Sequence, residues 1–206
     1  MALDIHIHRL SAAGKLLVSK LHLSCERGKI VTLMGASGSG KSSLLAAVCG
    51  TLDAGLQFEG DVLLDGQSLV HLPCAKRRIG ILFQDDLLFA HMTLRENLLF
   101  AVPAGPAVQR EAAVKLALDE IGFSDMAQRS PNTLSGGQRA RVSLLRTLLA
   151  QPHALLLDEP FSKLDAALRQ QFRDFVYAHV RQKNLPTLLV THDAQDIADA
   201  SAVVRI

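Results

Sequence analysis

A glycine-rich segment in the first quarter of the chain has the composition of a phosphate-binding loop. The pattern G-x-x-x-x-G-K-[ST] is matched by Gly35-Ala36-Ser37-Gly38-Ser39-Gly40-Lys41-Ser42. Glycines let successive backbone N–H groups turn toward a polyphosphate, and the lysine reaches the terminal phosphates. With glycine at ~7% of residues, such a match arises by chance in about one chain of this length in a hundred. The segment therefore predicts a nucleotide-binding loop, with the Ser42 hydroxyl available to Mg²⁺.

Two acidic residues follow a strongly apolar run later in the chain. Asp158 and Glu159 come directly after Leu155-Leu156-Leu157. In phosphate-loop enzymes a carboxylate at a strand end holds Mg²⁺, and a second group orients the attacking water. By that template Asp158 is a metal ligand and Glu159 faces the water. An isolated Asp-Glu pair would indicate a solvated turn, but the phosphate loop favours the catalytic interpretation.

A second glycine-rich segment precedes a helical apolar pattern and reads Leu134-Ser135-Gly136-Gly137-Gln138. Ser135 is a candidate N-cap for a helix that runs to Leu149, and the glycines permit close backbone approach. The residues alone leave two interpretations open, an ordinary helix cap and a second anion site.

The apolar patterns predict the elements that position these residues. Residues 3–34 contain short strand patterns, at 3–7, 16–18, 21–23 and 30–34, and the last has the composition of a strand buried on both faces. A helix over 42–49 is expected to end at Gly50. Residues 58–66 suggest a hairpin element, and 79–83 another strand.

The period becomes helical between residues 93 and 149, and strand patterns return at 154–157 and 187–190 with a helix over 166–183 between them. Strand, helix and strand in this order, with buried strands, indicate a parallel sheet. The chain is therefore predicted to be an α/β core with a helical insertion.

Composition excludes several classes of protein. The 206 residues carry 22 basic and 20 acidic side chains, 4% aromatics and no Trp, which argues against a nucleic-acid partner. The three cysteines form no CxxC pair and predict reduced, buried thiols. No apolar run approaches the ~18 residues that span a bilayer. We therefore expect the chain to stay in the cytoplasm.

The glycine-rich loop Gly35–Ser42, the segment Leu134–Gln138 and the pair Asp158-Glu159 together resemble the ATP-binding subunit of ABC transporters. Further matches are Phe83-Gln84 to the family's Q-loop, Ser162-Lys163-Leu164-Asp165 to its D-loop, and Thr191-His192-Asp193 to its switch histidine. The resemblance covers the whole chain. It implies a P-loop NTPase core with a mainly parallel sheet, an N-terminal antiparallel β-subdomain and an inserted α-helical subdomain. One domain over 1–206 is implied, with 1–84 and 151–206 as core and β-subdomain and about 85–150 as helical subdomain.

The resemblance also implies hydrolysis of ATP with Mg²⁺ in a head-to-tail dimer, where each nucleotide lies between the loop of one subunit and the Leu134–Gln138 segment of the other. The catalytic residues it implies are Glu159, His192 and Gln84, and the metal-binding ones are Ser42, Gln84 and Asp158. The nucleotide-binding set it implies is Gly35, Ala36, Ser37, Gly38, Ser39, Gly40, Lys41, Ser42, Ser43, Ser135, Gly137, Gln138 and Asp165.

The partners that the resemblance implies are a multi-spanning permease, a second copy of the chain and, in the full transporter, a solute-binding protein. It places the chain on the cytoplasmic face of the inner membrane. The small size and the segment 88–97 are most similar to importer subunits for small solutes. Residues 84–93 are the candidate permease contact, with subdomain core as the alternative. A non-transport ABC-type ATPase would need coiled coils, zinc modules or tandem cassettes, and a metabolic P-loop kinase would lack the Leu134–Gln138 segment.

The chain departs from the family pattern in two places. An aromatic ring that stacks on adenine is usual near residues 10–13, where this chain has Leu10-Ser11-Ala12-Ala13. We therefore expect weak discrimination between ATP and GTP, apolar contact from Leu10, and tighter binding when tyrosine replaces Ser11 or Ala12. The D-loop carries Lys163 where a small residue is common.

Overall fold

The computed structural model describes residues 2–206 and divides the chain into two compact units. The first, here called the sheet unit, contains the chain up to Ile81 together with His153–Glu159 and Tyr177–Ile206. The second, the helical unit, contains Leu82–Pro152 and Pro160–Val176. Among the described residues, no helix has the length and apolar character needed to cross a membrane.

Strands and helices are interspersed along the chain, as in other α/β folds. In chain order they are β1 (Ala2–Ala12), β2 (Lys15–Glu26), β3 (Ile30–Met34), α1 (Lys41–Cys49), β4 (Leu56–Leu64), β5 (Gln67–Ser68), α2 (Cys74–Arg77), β6 (Ile79–Leu82), α3 (Leu94–Ala101), α4 (Ala107–Glu120), α5 (Gly136–Leu149), β7 (Ala154–Asp158), α6 (Ala166–Gln182), β8 (Thr187–Thr191) and β9 (Val203–Arg205). Short 3₁₀ turns cover Ser124–Met126, Pro131–Thr133, Ala194–Asp196 and Ala200–Ala202.

The strands form an antiparallel and a parallel sheet. The antiparallel sheet has the order β2-β1-β4-β5, and the second sheet has the order β6-β7-β8-β3-β9. Within the second sheet β3, β7, β8 and β9 pair in parallel. This arrangement confirms the predicted fold class, an α/β P-loop core with an N-terminal antiparallel sheet.

The parallel sheet brings three strand ends to one edge. Met34 on β3 pairs with Thr191 on β8, and Asp158 on β7 pairs with Val190 on β8. All three strands are almost fully buried, as their continuous apolar sequences predict. Residues that follow these strands therefore meet at the carboxyl edge, where α/β sheets bind ligands.

Two details differ from the sequence prediction. The patterns at 16–18 and 21–23 belong to one continuous strand, β2, and Lys20 between them has a φ of 52°. Cys74 is exposed, so only Cys25 and Cys49 are buried thiols as expected. Burial raises the pKa of each of these two thiols to about 12.

Arg77 holds the end of the helix that follows the glycine-rich loop. Its side chain is 6% exposed, and the guanidinium donates to the carbonyls of Ala47 and Val48 at 2.9 and 2.8 Å and to those of Leu72 and Val70 at 3.0 Å. Burial lowers the pKa of Arg77. The cation satisfies carbonyls of the last turn of α1 and complements that end of the helix.

We expect Arg77→Met to lower the free energy of unfolding by about 2–3 kcal/mol, because four carbonyls lose a charged donor inside the protein. Urea denaturation of the full chain measures this change. Lys76→Met is the matched control, since Lys76 is the exposed neighbour on the same short helix. Equal midpoints for the two variants would contradict the role given to Arg77.

The helical unit has its own core between α3, α4 and α5, with buried side chains that include Leu94, Leu98, Val114, Leu118, Val142 and Leu145. Helix α3 begins with a capping box formed by Thr93 and Glu96. Asn97 is buried, and its amide accepts from the Phe89 N–H and donates to the carbonyls of Phe89, Met92 and Thr93. This amide fixes the loop that precedes α3.

Candidate functional site

The glycine-rich loop connects β3 to α1 and leaves the start of α1 without a capping side chain. Gly40 occupies the N-cap position at a φ of 96°, and Gly38 lies at 79°. Both values lie in the left-handed region that favours glycine. The first N–H groups of α1 therefore have no side-chain acceptor, which is the arrangement that binds phosphate at a helix N-terminus.

Gly35 is required because the loop leaves no space for a side chain at this position, and not because of its backbone angles. A Cβ atom at this position would lie 2.6 Å from the Ser39 Oγ and 2.8 Å from the carbonyl oxygen of Ile206. Both distances are shorter than real Cβ contacts. The first glycine of the motif thus allows the loop to close over β3.

Lys41 is folded back onto the loop. Its ammonium donates to the carbonyls of Gly35 and Ala36 at 2.9 and 2.7 Å and lies 3.9 Å from the Glu159 Oε1. The side chain is 5% exposed. A cation held at this depth by neutral carbonyls is available as counter-charge to a phosphate that enters the loop.

Asp158 ends β7 beside the first turn of α1. The Ser42 hydroxyl donates to its Oδ1 at 3.4 Å. The pKa of Asp158 is raised, first because burial disfavours the charged carboxylate and also because Glu159 is adjacent, while Ser42 and Lys41 act in the opposite direction. The structure therefore joins a hydroxyl and a carboxylate, the hard oxygen donors that Mg²⁺ prefers.

Glu159 and His192 are in direct contact. The Nδ1 of His192 lies 3.1 Å from the Glu159 Oε2, and Glu159 has a φ of 46° although it is not a glycine. The Glu159 N–H donates to the Val190 carbonyl at 2.9 Å, which holds this backbone against β8. A positive φ at a non-glycine residue costs energy, and the surrounding structure maintains it at Glu159.

Hydrogen bonds that involve Thr191, Asp196 and Tyr177 support the loop that carries His192. The Thr191 hydroxyl donates to the Asp196 Oδ2 at 2.8 Å and accepts the Asp193 N–H at 3.1 Å. The Tyr177 hydroxyl donates to the Asp196 carbonyl oxygen. Thr191 belongs to the Thr191-His192-Asp193 match, whereas no motif marks Asp196 or Tyr177.

The other predicted site residues lie in the helical unit. Ser135 is the N-cap of α5, where its Oγ accepts the Gln138 N–H at 3.3 Å and Gln138 Oε1 accepts the Ser135 N–H at 2.9 Å. Gly137 is buried against Leu168. The predicted N-cap is confirmed, and it is a complete capping box.

The remaining residues of the prediction belong to loops of the helical unit. Gln84 is exposed and lines a cavity of about 360 Å³. Asp165 accepts the Leu168 N–H at 3.0 Å at the start of α6. Lys163, one of the two departures from the family pattern, forms an ion pair with Asp85 at the same cavity. The structure thus brings the loop, Asp158, Glu159 and His192 together in the sheet unit, and the others belong to the helical unit.

The expected base contact near residues 10–13 is corrected by the structure. Leu10 and Ser11 are buried in β1, so neither side chain can lie against a nucleotide base, and a tyrosine at Ser11 would have no access to one. Leu16 on the same hairpin is a large apolar side chain that is 52% exposed. Its neighbour Leu17 lies against Gly40, where a Cβ would come within 2.9 Å.

Comparison with known proteins agrees with this arrangement. The family model for the ABC transporter matches residues 18–162. The chain is 49% identical over 191 residues to the uncharacterized ABC transporter ATP-binding protein YnjD of Escherichia coli, covering 91% of this chain and 87% of that protein.

Two importer subunits are also similar. The thiamine import ATP-binding protein ThiQ of Vibrio parahaemolyticus is 40% identical over 90% of this chain and 80% of its own length. The sulfate/thiosulfate import ATP-binding protein CysA of Synechocystis is 39% identical over 89% of this chain and 52% of its own length, so the chain spans about half of that protein. The chain belongs to the ABC transporter family and is one of its ATP-binding subunits, an ATPase.

Proposed function

We propose that the chain hydrolyses ATP with Mg²⁺ in a head-to-tail dimer of itself and thereby drives a separate multi-spanning permease that imports a small solute. The observation that carries this proposal is the convergence of Lys41, Asp158, Glu159 and His192 at one edge of the parallel sheet. The whole chain, 1–206, acts as one ABC-type ATP-binding domain in this proposal.

The uncapped N-terminus of α1 and the ammonium of Lys41 would bind the β- and γ-phosphates. Lys41 would exchange its two backbone carbonyl partners for phosphate oxygens, which are stronger acceptors. Ser43 and the loop residues from Gly35 to Ser42 would line the nucleotide through their backbone. Because none of these contacts involves the base, the affinity for the nucleotide would depend mainly on its phosphates.

Ser42 and Asp158 fit a Mg²⁺ site, since they offer hard oxygen donors at the phosphate loop. Bound there, the ion would neutralise charge on the phosphate oxygens. Burial, which raises the pKa of Asp158, keeps this carboxyl group partly away from bulk water. In this proposal Gln84 also binds the metal ion and takes part in catalysis, because Phe83-Gln84 resembles the family's Q-loop.

Glu159 would accept a hydrogen bond from the attacking water and orient it in line with the γ-phosphate. The His192 imidazole, 3.1 Å from its carboxylate, would hold Glu159 in place and face the same phosphate. Ser135, Gly137, Gln138 and Asp165 would serve the nucleotide of the opposite subunit, where the N-terminus of α5 presents its dipole to the γ-phosphate.

The importer assignment rests on the named relatives ThiQ, CysA and the spermidine/putrescine import protein PotA of Salmonella typhimurium, which is 37% identical over 199 residues. By this proposal the chain lies on the cytoplasmic face of the inner membrane, bound to its permease, and the complete transporter includes a solute-binding protein. The named relatives are subunits of transporters, which favours transport over a non-transport ABC-type ATPase.

The permease contact in this proposal is residues 84–93. Phe83, Leu87 and Phe100 are exposed apolar side chains on the helical unit, and Phe89, whose ring packs edge-on against Phe100, is only partly buried. An apolar surface of this kind suits a short amphipathic helix from the cytoplasmic side of a membrane protein.

Cross-linking tests this contact and, with it, the proposed function. In a Cys74→Ser background, which removes the exposed native thiol, we expect Leu87→Cys and Ala90→Cys to cross-link in native membranes to a protein with several membrane spans. Val108→Cys on α4 is the control because Val108 is 81% exposed and lies outside the segment. The contact would be refuted if only Val108→Cys cross-linked to such a protein, or if neither Leu87→Cys nor Ala90→Cys cross-linked to any membrane protein.

A further inference from the structure

Residues 86–89, here called the Asp86–Phe89 turn, are held by one face of α5. The Ser143 hydroxyl donates to the Asp86 carbonyl at 2.8 Å, and the Arg146 guanidinium donates to the Leu87 carbonyl at 2.9 Å. Arg139 donates from its Nε to the Asp86 carboxylate at 2.8 Å. Positions 139, 143 and 146 share one side of a helix, so α5 holds the turn along two of its turns.

Arg146 donates a second bond within the turn, to the Asp86 carbonyl at 3.2 Å, whereas the second bond of Arg139 goes to a residue outside the turn. The Arg139 Nη1 donates to the carbonyl oxygen of Leu134 at 2.8 Å, while its Nε binds Asp86. One planar guanidinium therefore connects the Asp86–Phe89 turn to the residue that precedes the N-cap of α5. A lysine ammonium lacks the fork geometry that binds two such partners in fixed directions.

These contacts hold the first part of the turn, and Asn97 holds its last residue, Phe89. Leu87 has a φ of 48° and its side chain is 54% exposed, so its own packing does not hold the strained backbone. The second oxygen of the Asp86 carboxylate accepts the Leu88 N–H at 3.2 Å. The Asp86 carboxylate thus accepts one hydrogen bond from the Leu88 N–H and one from Arg139. A displacement of Leu88 or of Arg139 therefore also shifts the carboxylate that the other one binds.

We propose that Arg139 is a positioning residue that couples the Asp86–Phe89 turn to the Ser135–Gln138 segment, so that displacement of the turn by a bound partner changes the placement of that segment. The effect of this coupling on hydrolysis rests on the proposed function, in which Ser135–Gln138 completes the nucleotide site of a second subunit. The coupling itself is a property of the single chain.

Hydrogen exchange of the full chain tests the coupling without any activity. Asp86→Asn keeps the shape of the side chain and removes its charge, and we expect amide exchange within residues 134–139 to become about tenfold faster. Arg139→Met and Arg139→Lys should give the same change. Arg141→Met is the matched control, because Arg141 lies on α5 but contacts Gln171 and Phe175.

Steady-state hydrolysis then measures the consequence. We expect Asp86→Asn and Arg139→Met each to lower kcat about tenfold with KM changed less than twofold, because the loop that binds the phosphates is untouched. The double variant should be no worse than either single one, since both break the same contact.

Unchanged exchange in the Asp86→Asn variant, multiplicative losses in the double variant, or an equal effect of Arg141→Met would overturn the proposal. Faster exchange in a chain whose wild type hydrolyses no ATP would support the coupling and refute the proposed function. Melting temperatures of all variants identify any loss that comes from unfolding, and Asp86→Asn remains the test if Arg139→Met fails to fold.

Discussion

A Glu159→Gln subunit should bind ATP and Mg²⁺ normally and hydrolyse ATP about 10²–10⁴-fold more slowly than the wild type, the range that a positioned general base contributes. Glutamine keeps the size of the side chain, so Lys41 and the loop stay in place. It loses the carboxylate that accepts a hydrogen bond from water and that His192 contacts at 3.1 Å. Arrest before hydrolysis should leave an ATP-bound dimer.

Phosphate release measures the rate, and size-exclusion chromatography with ATP and Mg²⁺ measures the dimer. Glu26→Gln, an exposed glutamate at the end of β2, is the control for removal of one negative charge. Turnover near the wild-type rate in the Glu159→Gln variant would show that another group orients the water.

The phosphate loop, Asp158 and Glu159 could be selected from local sequence, whereas His192 was selected only through the family resemblance. The loop follows from glycines and a lysine at fixed spacing, and Asp158 and Glu159 follow from an apolar run that ends in two acids. Parallel pairing then brings the strand ends to one edge, as the register of Asp158 with Val190 illustrates. The fold class follows from the same alternation of buried strands and helices.

Contacts between residues distant in sequence could not be predicted in this way. Arg139 and Asp86 are 53 positions apart, and neither belongs to a recognisable motif. The hydroxyl of Tyr177 reaches a carbonyl on Asp196 from a helix. Side-chain direction is also uncertain where a strand pattern is irregular. A tyrosine at Ser11 is predicted to tighten nucleotide binding, but Ser11 is buried where the β1–β2 register shifts between Leu10 and Ser11.

Mixing two inactive variants should restore hydrolysis if each nucleotide site is built from two subunits. Lys41→Ala disables the phosphate loop, and Ser135→Arg places a long cation at the N-cap of α5, where it would repel the opposite subunit's Mg²⁺ and block its γ-phosphate. In a mixed dimer one site contains both changes and the other contains neither. Random pairing of a symmetric dimer therefore leaves about a quarter of the sites intact, and activity should recover to that level.

Lys41→Ala mixed with Glu159→Gln is the matched control. Both residues belong to the same half of the site, so every site in that mixture carries one of the two changes and no activity should return. Recovery in the control as well would indicate exchange or contamination. Recovery in neither mixture, with dimers present by size-exclusion chromatography, would mean that Ser135 serves its own subunit. Wild-type activity per subunit should also rise with subunit concentration. Each monomer supplies one half of each of two sites, so neither site is complete until two monomers associate.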